Sequence, residues 1–389
     1  MNILIITPGI LPGPAVKGGA VETLTDFIIK DDKINSNNNI TIYSIYDKDA
    51  MVDSKKINCT FKYINANKIA YKIWKLIRFI INKNPLRYFG NEFITNVSRE
   101  IIKSKKVYDV VIVENVPQYG LILKKLVDSK LILHLHNDCL NKNSRYSKKI
   151  LSSYDEIFVI SEYLKNRVQE VDDRAKINIL YNGVELNKFD INLFNKDEIK
   201  IDYSIDKESF VFMYVGRIVP EKGVEDLIKA FCKIDAGLKK NKLIMVGNTD
   251  NNDYILKLKK MAKSRINDVV FTGYIEYCQI PEICSIADVG ILPTRINEAF
   301  GMVIIEFMSL GIPLIISNKG GMIEITDEIC RKTANVNENY IANITKCMEE
   351  YLQESTDKFS LIKENCKKNA EKFSKERYCK NFYNLIVKV

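Results

Sequence analysis

Short apolar runs rich in β-branched residues alternate with helix-length segments along most of this 389-residue chain. Continuous short apolar runs are typical of parallel strands buried on both faces, and the longer segments between them suit connecting helices. The predicted strands are Ile3–Ile6, Ile40–Ser44, Val110–Val113, Leu131–His136 and Ile157–Ile160, then Phe210–Val215, Lys242–Val246, Val269–Phe271, Val289–Leu292 and Pro313–Ile316. Two such series in succession predict two doubly wound α/β domains.

A polar, charge-rich stretch at Asn187–Ser204 lies between the two series and shows no regular apolar period. We expect the boundary between the domains there. The length agrees with this division, because at about 150 residues per domain such a chain forms two or three domains.

The composition excludes several classes of protein. With 46% hydrophobic residues the chain can bury a large core, and no apolar run approaches the roughly 20 residues that a membrane-spanning helix requires. The first residues, Met1–Gly9, lack a basic segment and fit a first strand better than a signal peptide. Nine cysteines without a C-x-x-C pair indicate neither a disulfide framework nor a thiolate zinc site. We therefore expect a cytoplasmic protein.

The net charge of +9 is concentrated in the first half of the chain, where 13 basic and only two acidic residues lie between Lys55 and Lys106. Such a region is consistent with an anionic partner: a membrane surface, a phosphate-bearing substrate or nucleic acid. Within it, Asn67–Lys83 has the pattern of an amphipathic helix, with an isoleucine-rich stripe on one side and lysines on another. We expect this helix to dock on an anionic membrane; the alternative is an ordinary surface helix packed on its sheet.

Two adjacent glycines, Gly18 and Gly19, follow the first predicted strand and precede the helical pattern of Thr23–Lys30. Glycines in this position allow the backbone to approach a ligand closely and direct free N–H groups towards an anion. Their spacing is not G-x-G-x-x-G, which argues against a dinucleotide site. The alternative is a turn that requires a positive φ angle.

The chain has two histidines, His134 and His136, at the end of the predicted strand Leu131–His136. Because they are two residues apart on a strand, both face the same side of the sheet. A metal site would need further ligands, for which Asp138 alone gives weak support, so we favour a core or hydrogen-bonding role for His134. His136 is the better candidate for contact with a substrate, because it lies at the carboxyl end of its strand.

Arg217 and Lys222 flank the loop between the strand Phe210–Val215 and the predicted helix Val224–Ala236. Basic pairs in loops are usually solvated, but this loop follows the carboxyl end of a strand, where α/β proteins bind their ligands. Two positive charges beside a helix amino terminus suit a diphosphate.

Two glutamates, Glu298 and Glu306, lie in the segment Asn297–Pro313. Glu298 precedes a predicted helix start, and Glu306 lies within an otherwise apolar helix. A carboxylate in that setting is costly unless it accepts hydrogen bonds, which the vicinal hydroxyls of a sugar or ribose would donate. The alternatives are an N-terminal helix charge and a buried ion pair. Backbone N–H groups near Gly301–Val303 would suit phosphate.

These features, in this order along the chain, resemble glycosyltransferase family 4, whose members are retaining enzymes of the GT-B fold. The motifs that carry the resemblance are Gly18-Gly19, His136, Tyr181-Asn182-Gly183-Val184, Gly216-Arg217, Glu221-Lys222-Gly223, Phe271-Thr272-Gly273-Tyr274, Glu298 with Glu306, and Phe373-Ser374-Lys375-Glu376-Arg377. The resemblance covers nearly the whole chain. Its opening loop and histidine strand are similar to those of enzymes that assemble bacterial capsules and exopolysaccharides.

The resemblance implies an α/β architecture of two doubly wound, Rossmann-like domains that face a central cleft. The first, at 1–190, would bind the acceptor, and the second, at 191–370, would bind the nucleotide sugar. The last segment, 371–389, would form a helix that returns to the first domain.

The resemblance also implies roles for the candidate residues. Arg217 and Lys222 would bind the donor diphosphate, Glu306 the nucleotide ribose and Glu298 the hydroxyls of the transferred sugar, with His136 completing the catalytic set. The expected donor-binding set is Gly18, Gly19, Arg217, Lys222, Tyr274, Glu298, Phe300, Gly301, Met302, Val303 and Glu306.

The implied activity is transfer, with retention, of a hexose or N-acetylhexosamine from a nucleotide-diphosphate sugar to a hydroxyl group of a glycan or lipid-linked glycan. A UDP-sugar is the favoured donor, surface polysaccharide the expected product, and the inner face of the cell membrane the expected place. No metal ion or other cofactor is expected, because no D-x-D element is placed like a metal clamp. The alternatives are a nucleotide-sugar epimerase of related fold and a basic nucleic-acid-binding or scaffold protein.

Overall fold

A computed structural model describes residues 1–65, 91–235 and 237–387. The chain divides into two compact units, each built around one parallel sheet. The first unit comprises Met1–Gly183 and Lys375–Val389, and the second comprises Val184–Ser374. The predicted membrane-docking helix Asn67–Lys83 lies outside the described residues.

The first unit contains a seven-stranded parallel sheet. Its strands are β1 (Asn2–Ile6), β2 (Asn39–Ile45), β3 (Thr60–Ile64), β4 (Val110–Glu114), β5 (Lys130–Leu135), β6 (Glu156–Val159) and β7 (Ile177–Ile179). The α-helices between them are α1 (Ala20–Ile29), α2 (Asp32–Asn37), α3 (Lys48–Ser54), α4 (Glu92–Ser104), α5 (Gly120–Leu123), α6 (Ser147–Leu151) and α7 (Glu162–Gln169). The order β3-β2-β1-β4-β5-β6-β7 reverses between β1 and β4, so the loops after these strands flank a crevice at the carboxyl edge.

The second unit repeats this plan with six parallel strands. They are β8 (Phe210–Val215), β9 (Asn241–Val246), β10 (Val269–Gly273), β11 (Val289–Leu292), β12 (Leu314–Ser317) and β13 (Arg331–Ala334). Its α-helices are α8 (Lys196–Asp202), α9 (Val224–Phe231), α10 (Asn252–Met261), α11 (Ile280–Ser285), α12 (Met302–Ser309), α13 (Tyr340–Leu352) and α14 (Thr356–Ala370). The order β10-β9-β8-β11-β12-β13 places the reversal between β8 and β11.

The last helix, α15 (Lys375–Val387), belongs to the first unit. Its apolar face enters the core beside β1 and α1, where Tyr378, Phe382 and Ile386 are almost completely buried. The expected return of the C-terminal helix to the first domain is therefore confirmed.

The predicted strands are all present, within two residues of their predicted ends. The strands that were not predicted are β3, β7 and β13, and all three lie at the edge of a sheet. Edge strands are partly exposed, and these contain polar residues instead of a continuous apolar run. The prediction for helix Val224–Ala236 was too long: the helix ends at Phe231, because the next residues form tight turns.

The first unit ends at Gly183 and resumes at Lys375, whereas the predicted domain boundaries follow residues 190 and 370. The charge-rich stretch Asn187–Ser204 is part of the second unit and contains α8. Phe189 and Ile199 are buried there, and these two apolar side chains join the stretch to the second unit.

None of the helices in the described ranges is long and apolar enough to span a membrane. All nine cysteines lie in those ranges, and all nine have free thiols. Five of them are buried, which agrees with a role as small apolar side chains.

Candidate functional site

The predicted donor residues of the second unit, apart from Tyr274 after β10, follow β8 and β11, the neighbouring strands at which the sheet order reverses. Ligands of doubly wound proteins bind at this switch point, because the loops after the two strands lead away in opposite directions. The loop after β8 carries Arg217 and Lys222, and the loop after β11 carries Glu298.

The two loops are joined tightly at Gly223 and Pro293. Gly223 has a φ angle of 71°, and a Cβ atom there would overlap the carbonyl oxygen of Pro293. The backbone N–H of Arg295 donates to the carbonyl oxygen of Glu221 at 3.0 Å. The Arg295 guanidinium binds the buried Asp226 carboxylate of α9 through two hydrogen bonds, of 2.5 and 2.8 Å. These contacts fix the two loops against each other.

Lys222 and Glu298 form an ion pair across these loops. The Lys222 Nζ lies 2.5 Å from the Glu298 Oε1, and the two side chains are 23% and 21% exposed. The buried Thr294 hydroxyl donates to the same carboxylate oxygen at 3.1 Å. The Glu298 backbone is held as well, because its carbonyl oxygen accepts from the N–H of Gly321 at 2.7 Å. The Glu298 carboxylate is therefore positioned but still reachable from solvent.

Arg217 lies at the start of the same loop as Lys222 and is exposed. Its backbone carbonyl accepts a hydrogen bond of 2.6 Å from the Tyr214 hydroxyl, which comes from the end of β8. The loops after β8 and β9 approach closely here, since a Cβ atom at Gly247 would overlap the Gly216 carbonyl oxygen. The guanidinium is thus presented from a firmly held backbone.

Helix α12 is preceded by its N-cap residue Gly301, which has a φ angle of 106° and provides no side-chain cap. Gly301, Met302 and Val303 are half-buried. The first-turn N–H groups of a helix have no partner within the helix, and the helix dipole makes this end favourable for an anion. This end of α12 has the properties of a phosphate-binding segment.

Glu306 lies about one turn into α12 and is only 4% exposed. The Tyr277 hydroxyl donates to Glu306 Oε1 at 3.1 Å. Burial raises the pKa of Glu306 to about 7, against the opposing effect of that hydrogen bond. The carboxyl is therefore divided between its neutral and ionised forms near neutral pH, and further hydroxyl donors would favour the ionised form.

Tyr274 and Phe300 occupy different surroundings from the other predicted donor residues. Tyr274 is 65% exposed, and its hydroxyl donates to Glu276 at 3.2 Å. Phe300 is 3% exposed, and its ring packs edge to face against Phe373 with 6.0 Å between ring centroids. Tyr274 can contact a ligand with its ring, whereas Phe300 supports the loop before α12 from within the core.

In the first unit, Gly18 and Gly19 lead into α1, and both have positive φ angles, of 69° and 103°. A Cβ atom at Gly19 would collide with the carboxylate of Glu22. Glu22 is 5% exposed in the first turn of α1, and burial raises its pKa to about 6, with the charges of Glu114 and Asp26 adding to the effect. The glycine loop therefore packs directly on a buried carboxyl group.

His136 follows β5, and its side chain is 6% exposed. Its Nε2 lies 2.9 Å from Glu114 Oε2, and the Nδ1 of His134 lies 3.1 Å from the same oxygen. Burial would raise the pKa of Glu114, but the two histidines outweigh burial and hold that pKa well below its ordinary value. Burial and the neighbouring His134 lower the pKa of His136. Glu114 is thus an ionised carboxylate between two imidazoles.

Glu114, His134 and His136 also form a group within the described ranges whose potential metal-ligand atoms all lie within 4.8 Å of one another. Histidines that bind a metal almost always donate their second ring N–H to a polar partner. Here the second nitrogens, His134 Nε2 and His136 Nδ1, are buried and have no partner among the described residues. Asp138 is not part of the group, because it binds Arg167 and Tyr163. The arrangement fits a hydrogen-bonded carboxylate–imidazole network better than a metal site.

Three contributors to these sites were not predicted from the sequence: Glu114, Thr294 and Tyr277. Glu114 ends a buried strand, and a carboxylate at that position is a signal that could have identified it. Thr294 and Tyr277 lie in polar loops and had no such signal.

Comparisons with known proteins agree with these observations. Residues 195–373 match the family model described as "Glycosyl transferases group 1". The chain is 28% identical over 273 residues to the lipopolysaccharide 1,2-N-acetylglucosaminetransferase of Salmonella typhimurium, which covers 69% of this chain and 68% of that protein.

Two solved structures match the fold over nearly the whole chain. Anabaena HepE in complex with UDP and glucose has a TM-score of 0.73 at 18% identity, and the match covers 100% of both chains. A glycosyltransferase from Rickettsia africae has a TM-score of 0.76 at 19% identity, and the match covers 99% of this chain and 97% of that one.

Proposed function

We propose that this protein transfers a sugar from a nucleotide-diphosphate sugar to a hydroxyl group, because residues 195–373 match the glycosyl transferases group 1 model within a chain of the GT-B fold. The observation that carries the proposal is the Lys222–Glu298 pair at the switch point between β8 and β11, with Glu306 buried on the following helix. A cation for a phosphate and two carboxylates for hydroxyl groups are the chemistry that such a donor requires.

The favoured donor is a UDP-sugar carrying a hexose or an N-acetylhexosamine. HepE binds UDP, and the Salmonella relative is named for transfer of N-acetylglucosamine to lipopolysaccharide. The acceptor is a glycan or lipid-linked glycan, and the process is the assembly of a surface polysaccharide.

The diphosphate of the donor binds Arg217, Lys222 and the amino end of α12. Together these supply two positive charges and the positive end of a helix dipole. Negative charge develops on the leaving diphosphate as the sugar departs, so fixed cations there stabilise the transition state more than the ground state.

Glu298 accepts hydrogen bonds from hydroxyls of the transferred sugar. Its carboxylate pairs with Lys222, so binding of the diphosphate to Lys222 releases the carboxylate for the sugar. Thr294 keeps the carboxylate in place during this exchange, because its hydroxyl holds Glu298 Oε1 independently of Lys222.

Glu306 accepts hydrogen bonds from the ribose hydroxyls. Tyr277 already donates to one carboxylate oxygen, and a nucleotide adds further donors. Since burial raises the pKa of the Glu306 carboxyl to about 7, hydrogen bonds from a nucleotide favour the ionised form and release a proton.

The reaction proceeds with retention. The bond between the anomeric carbon and the β-phosphate oxygen breaks, the acceptor oxygen attacks from the same face, and the departing diphosphate takes the acceptor proton. Arg217 and Lys222 neutralise the diphosphate without a divalent metal, and His136 contributes a substrate contact from the first unit.

The test is to incubate the full chain with a panel of nucleotide sugars and a glycan acceptor, with and without EDTA. Proton NMR should show an α-linked product from an α-linked donor, and the rate should survive EDTA. An inverted product, or activity lost with EDTA and restored by Mg²⁺, would contradict the mechanism. Conversion of a nucleotide sugar without any acceptor would indicate an epimerase instead.

A further inference from the structure

Two buried nitrogen atoms in the first unit, His134 Nε2 and His136 Nδ1, have no hydrogen-bond partner among the described residues. The side chains of His134 and His136 are 1% and 6% exposed. A buried polar atom without a partner costs free energy, so such an atom beside a binding loop indicates a missing hydrogen-bond partner.

The contacts with Glu114 determine which ring nitrogens carry hydrogen. An ionised carboxylate can only accept hydrogen bonds. The nitrogens that face Glu114, namely His134 Nδ1 and His136 Nε2, must therefore be N–H donors. In a neutral imidazole the second nitrogen is then an acceptor. His136 Nδ1 is consequently a buried lone pair that can receive a hydrogen bond.

The backbone of His136 is held from the same strand end. Asn115, directly after Glu114, has a φ angle of 53°, and its side-chain Oδ1 accepts from the His136 backbone N–H at 3.0 Å. The Asn115 backbone N–H donates to the His134 carbonyl oxygen at 2.8 Å. The end of β4 thus positions both the main chain and the ring of His136.

We propose that Glu114 is a positioning residue, which holds His136 as the Nε2–H tautomer and so keeps Nδ1 as the hydrogen-bond acceptor of the ring for a substrate hydroxyl. The role of Nδ1 rests on the proposed function, whereas the tautomer does not depend on it. Asparagine tolerates the left-handed conformation better than most residues, which suits Asn115 to this second anchoring role.

The tautomer can be measured directly, because the chain has only two histidines. Long-range proton–nitrogen NMR of the full chain labelled with ¹⁵N-histidine should show the His136 ring as the Nε2–H tautomer. Substitution of His134 by Asn leaves a single histidine in the chain and thereby assigns the signals. His136 found as the Nδ1–H tautomer would overturn the proposal.

The matched control is Glu156→Gln. Glu156 is a buried strand glutamate of the same sheet, 3% exposed, which contacts Lys130 and Lys176 and no histidine. Glu114→Gln should change the ring-nitrogen signals of both histidines, whereas Glu156→Gln should leave them as in the parent. Unchanged histidine signals in Glu114→Gln would also overturn the proposal.

A double-mutant cycle tests whether Glu114 acts through His136. Glu114→Gln should lower kcat/KM about 10- to 100-fold, because the amide holds the His136 ring less firmly than the carboxylate does. The double variant with His136→Ala should be no worse than His136→Ala alone, because Glu114 then has no ring to position. If the two substitutions lowered kcat/KM independently, so that their fold-changes multiplied in the double variant, the positioning role of Glu114 would be overturned. Absence of transferase activity in the parent would reject the proposed function and leave the tautomer result standing.

Repeating the NMR experiment with added Zn²⁺ tests whether the same three side chains bind a metal. A metal bound between Glu114 and the two rings would displace the N–H protons that face the carboxylate. If Zn²⁺ removed both N–H signals and increased thermal stability, Glu114, His134 and His136 would form a metal site and not a hydrogen-bonded network. Unchanged signals are the expected result.

Discussion

Glu298 and Glu306 are two carboxylates of one site in different surroundings. Glu298 is one-fifth exposed and paired with Lys222, whereas Glu306 is buried with a tyrosine hydroxyl as its hydrogen-bond partner. A group in contact with the ribose serves the ground state and the transition state alike, but a group that touches the reacting sugar acts mainly in the transition state. Substitution of Glu306 should therefore mainly weaken nucleotide binding, whereas substitution of Glu298 should mainly lower the turnover number.

Glu306→Gln should weaken binding of UDP alone by roughly 30- to 1,000-fold, as expected for loss of a charged hydrogen bond. Glu298→Gln should bind UDP nearly as the parent does and mainly lower the turnover number, because UDP has a ribose but no transferred sugar. Isothermal titration calorimetry and steady-state kinetics measure the two effects. If both variants bind UDP like the parent and keep full turnover, both glutamates are structural acids.

Glu306 should also reduce the stability of the unliganded protein above neutral pH. Its folded pKa of about 7 lies above the unfolded value of 4.5, so the folded state binds more protons and loses stability as pH rises from about 4.5 to 7. Glu306→Gln removes this cost. The variant should be about 3 kcal/mol more stable than the parent at pH 8, and the advantage should vanish at pH 4.5.

Thermal unfolding across this pH range measures the difference. The exposed loop acid Glu338 provides the control, because Glu338→Gln should shift the unfolding midpoint little at any pH. An equal effect of Glu306→Gln at pH 8 and at pH 4.5 would show that its carboxyl does not titrate in this range.

At the scale of elements, the site depends on the loops after β8 and β11. They belong to neighbouring strands, and their backbones meet at Gly223 and Pro293 without space for a side chain. This contact places the loop of Lys222 beside the loop of Glu298. Rigid loop contacts of this kind preorganise charged groups before the ligand arrives.

Gly223→Ala should destabilise the second unit by clearly more than Gly273→Ala. Both glycines have φ angles near 70°, so both substitutions introduce a similar backbone strain of about 1–2 kcal/mol. A Cβ atom at Gly223 collides with a backbone carbonyl, whereas one at Gly273 has open space around it. Thermal unfolding of the two variants compares them directly. Equal midpoints would show that the loop contact adjusts easily and does not hold the site together.

The segment Asn67–Lys83, which lies outside the described residues, carries the prediction of membrane docking. A basic amphipathic segment binds anionic lipid through charge and apolar area together. The full chain should therefore cosediment with anionic vesicles but not with neutral ones, and a variant with Lys68, Lys72, Lys75 and Arg78 changed to Gln should lose this binding. Equal recovery with both kinds of vesicle, or none with either, would reject the prediction.

At the scale of the whole molecule, the first unit contains both the first 183 residues and the last helix of the chain. Helix α15 enters that core after the entire second unit has been traversed, so residues near both ends pack together. Contacts between residues so far apart in the chain form at a high entropic cost, which burial of apolar area must offset. The first unit therefore depends on its last helix.

Phe382→Ala should destabilise the first unit by about 3–5 kcal/mol, since Phe382 is completely buried and its loss leaves a cavity. Asn384→Ala, at an exposed position of the same helix, should have little effect. Limited proteolysis with mass spectrometry would locate the change. Faster cleavage confined to 184–374 would contradict the assignment of α15 to the first core.

The sequence by itself determined most strands of both sheets, because a strand buried on two faces requires a continuous apolar run and such a run is visible locally. It did not determine β3, β7 and β13, because a strand at the edge of a sheet is partly exposed and does not need a continuous apolar run. It also identified Arg217, Lys222, Glu298 and Glu306 as candidates, because a charged residue just after a strand or inside an apolar helix is unusual enough to stand out.

Only the tertiary structure decided which of these side chains meet. Lys222 and Glu298 are 76 residues apart and form a pair because β8 and β11 are neighbours. Glu114 reaches His134 and His136 because β4 pairs with β5 in a register that aligns Glu114 with His134. Apolar periodicity is nearly the same in every buried parallel strand, so it shows where strands are but not which are adjacent. Strand order and register depend on how the whole sheet packs, and these set the contacts of the site.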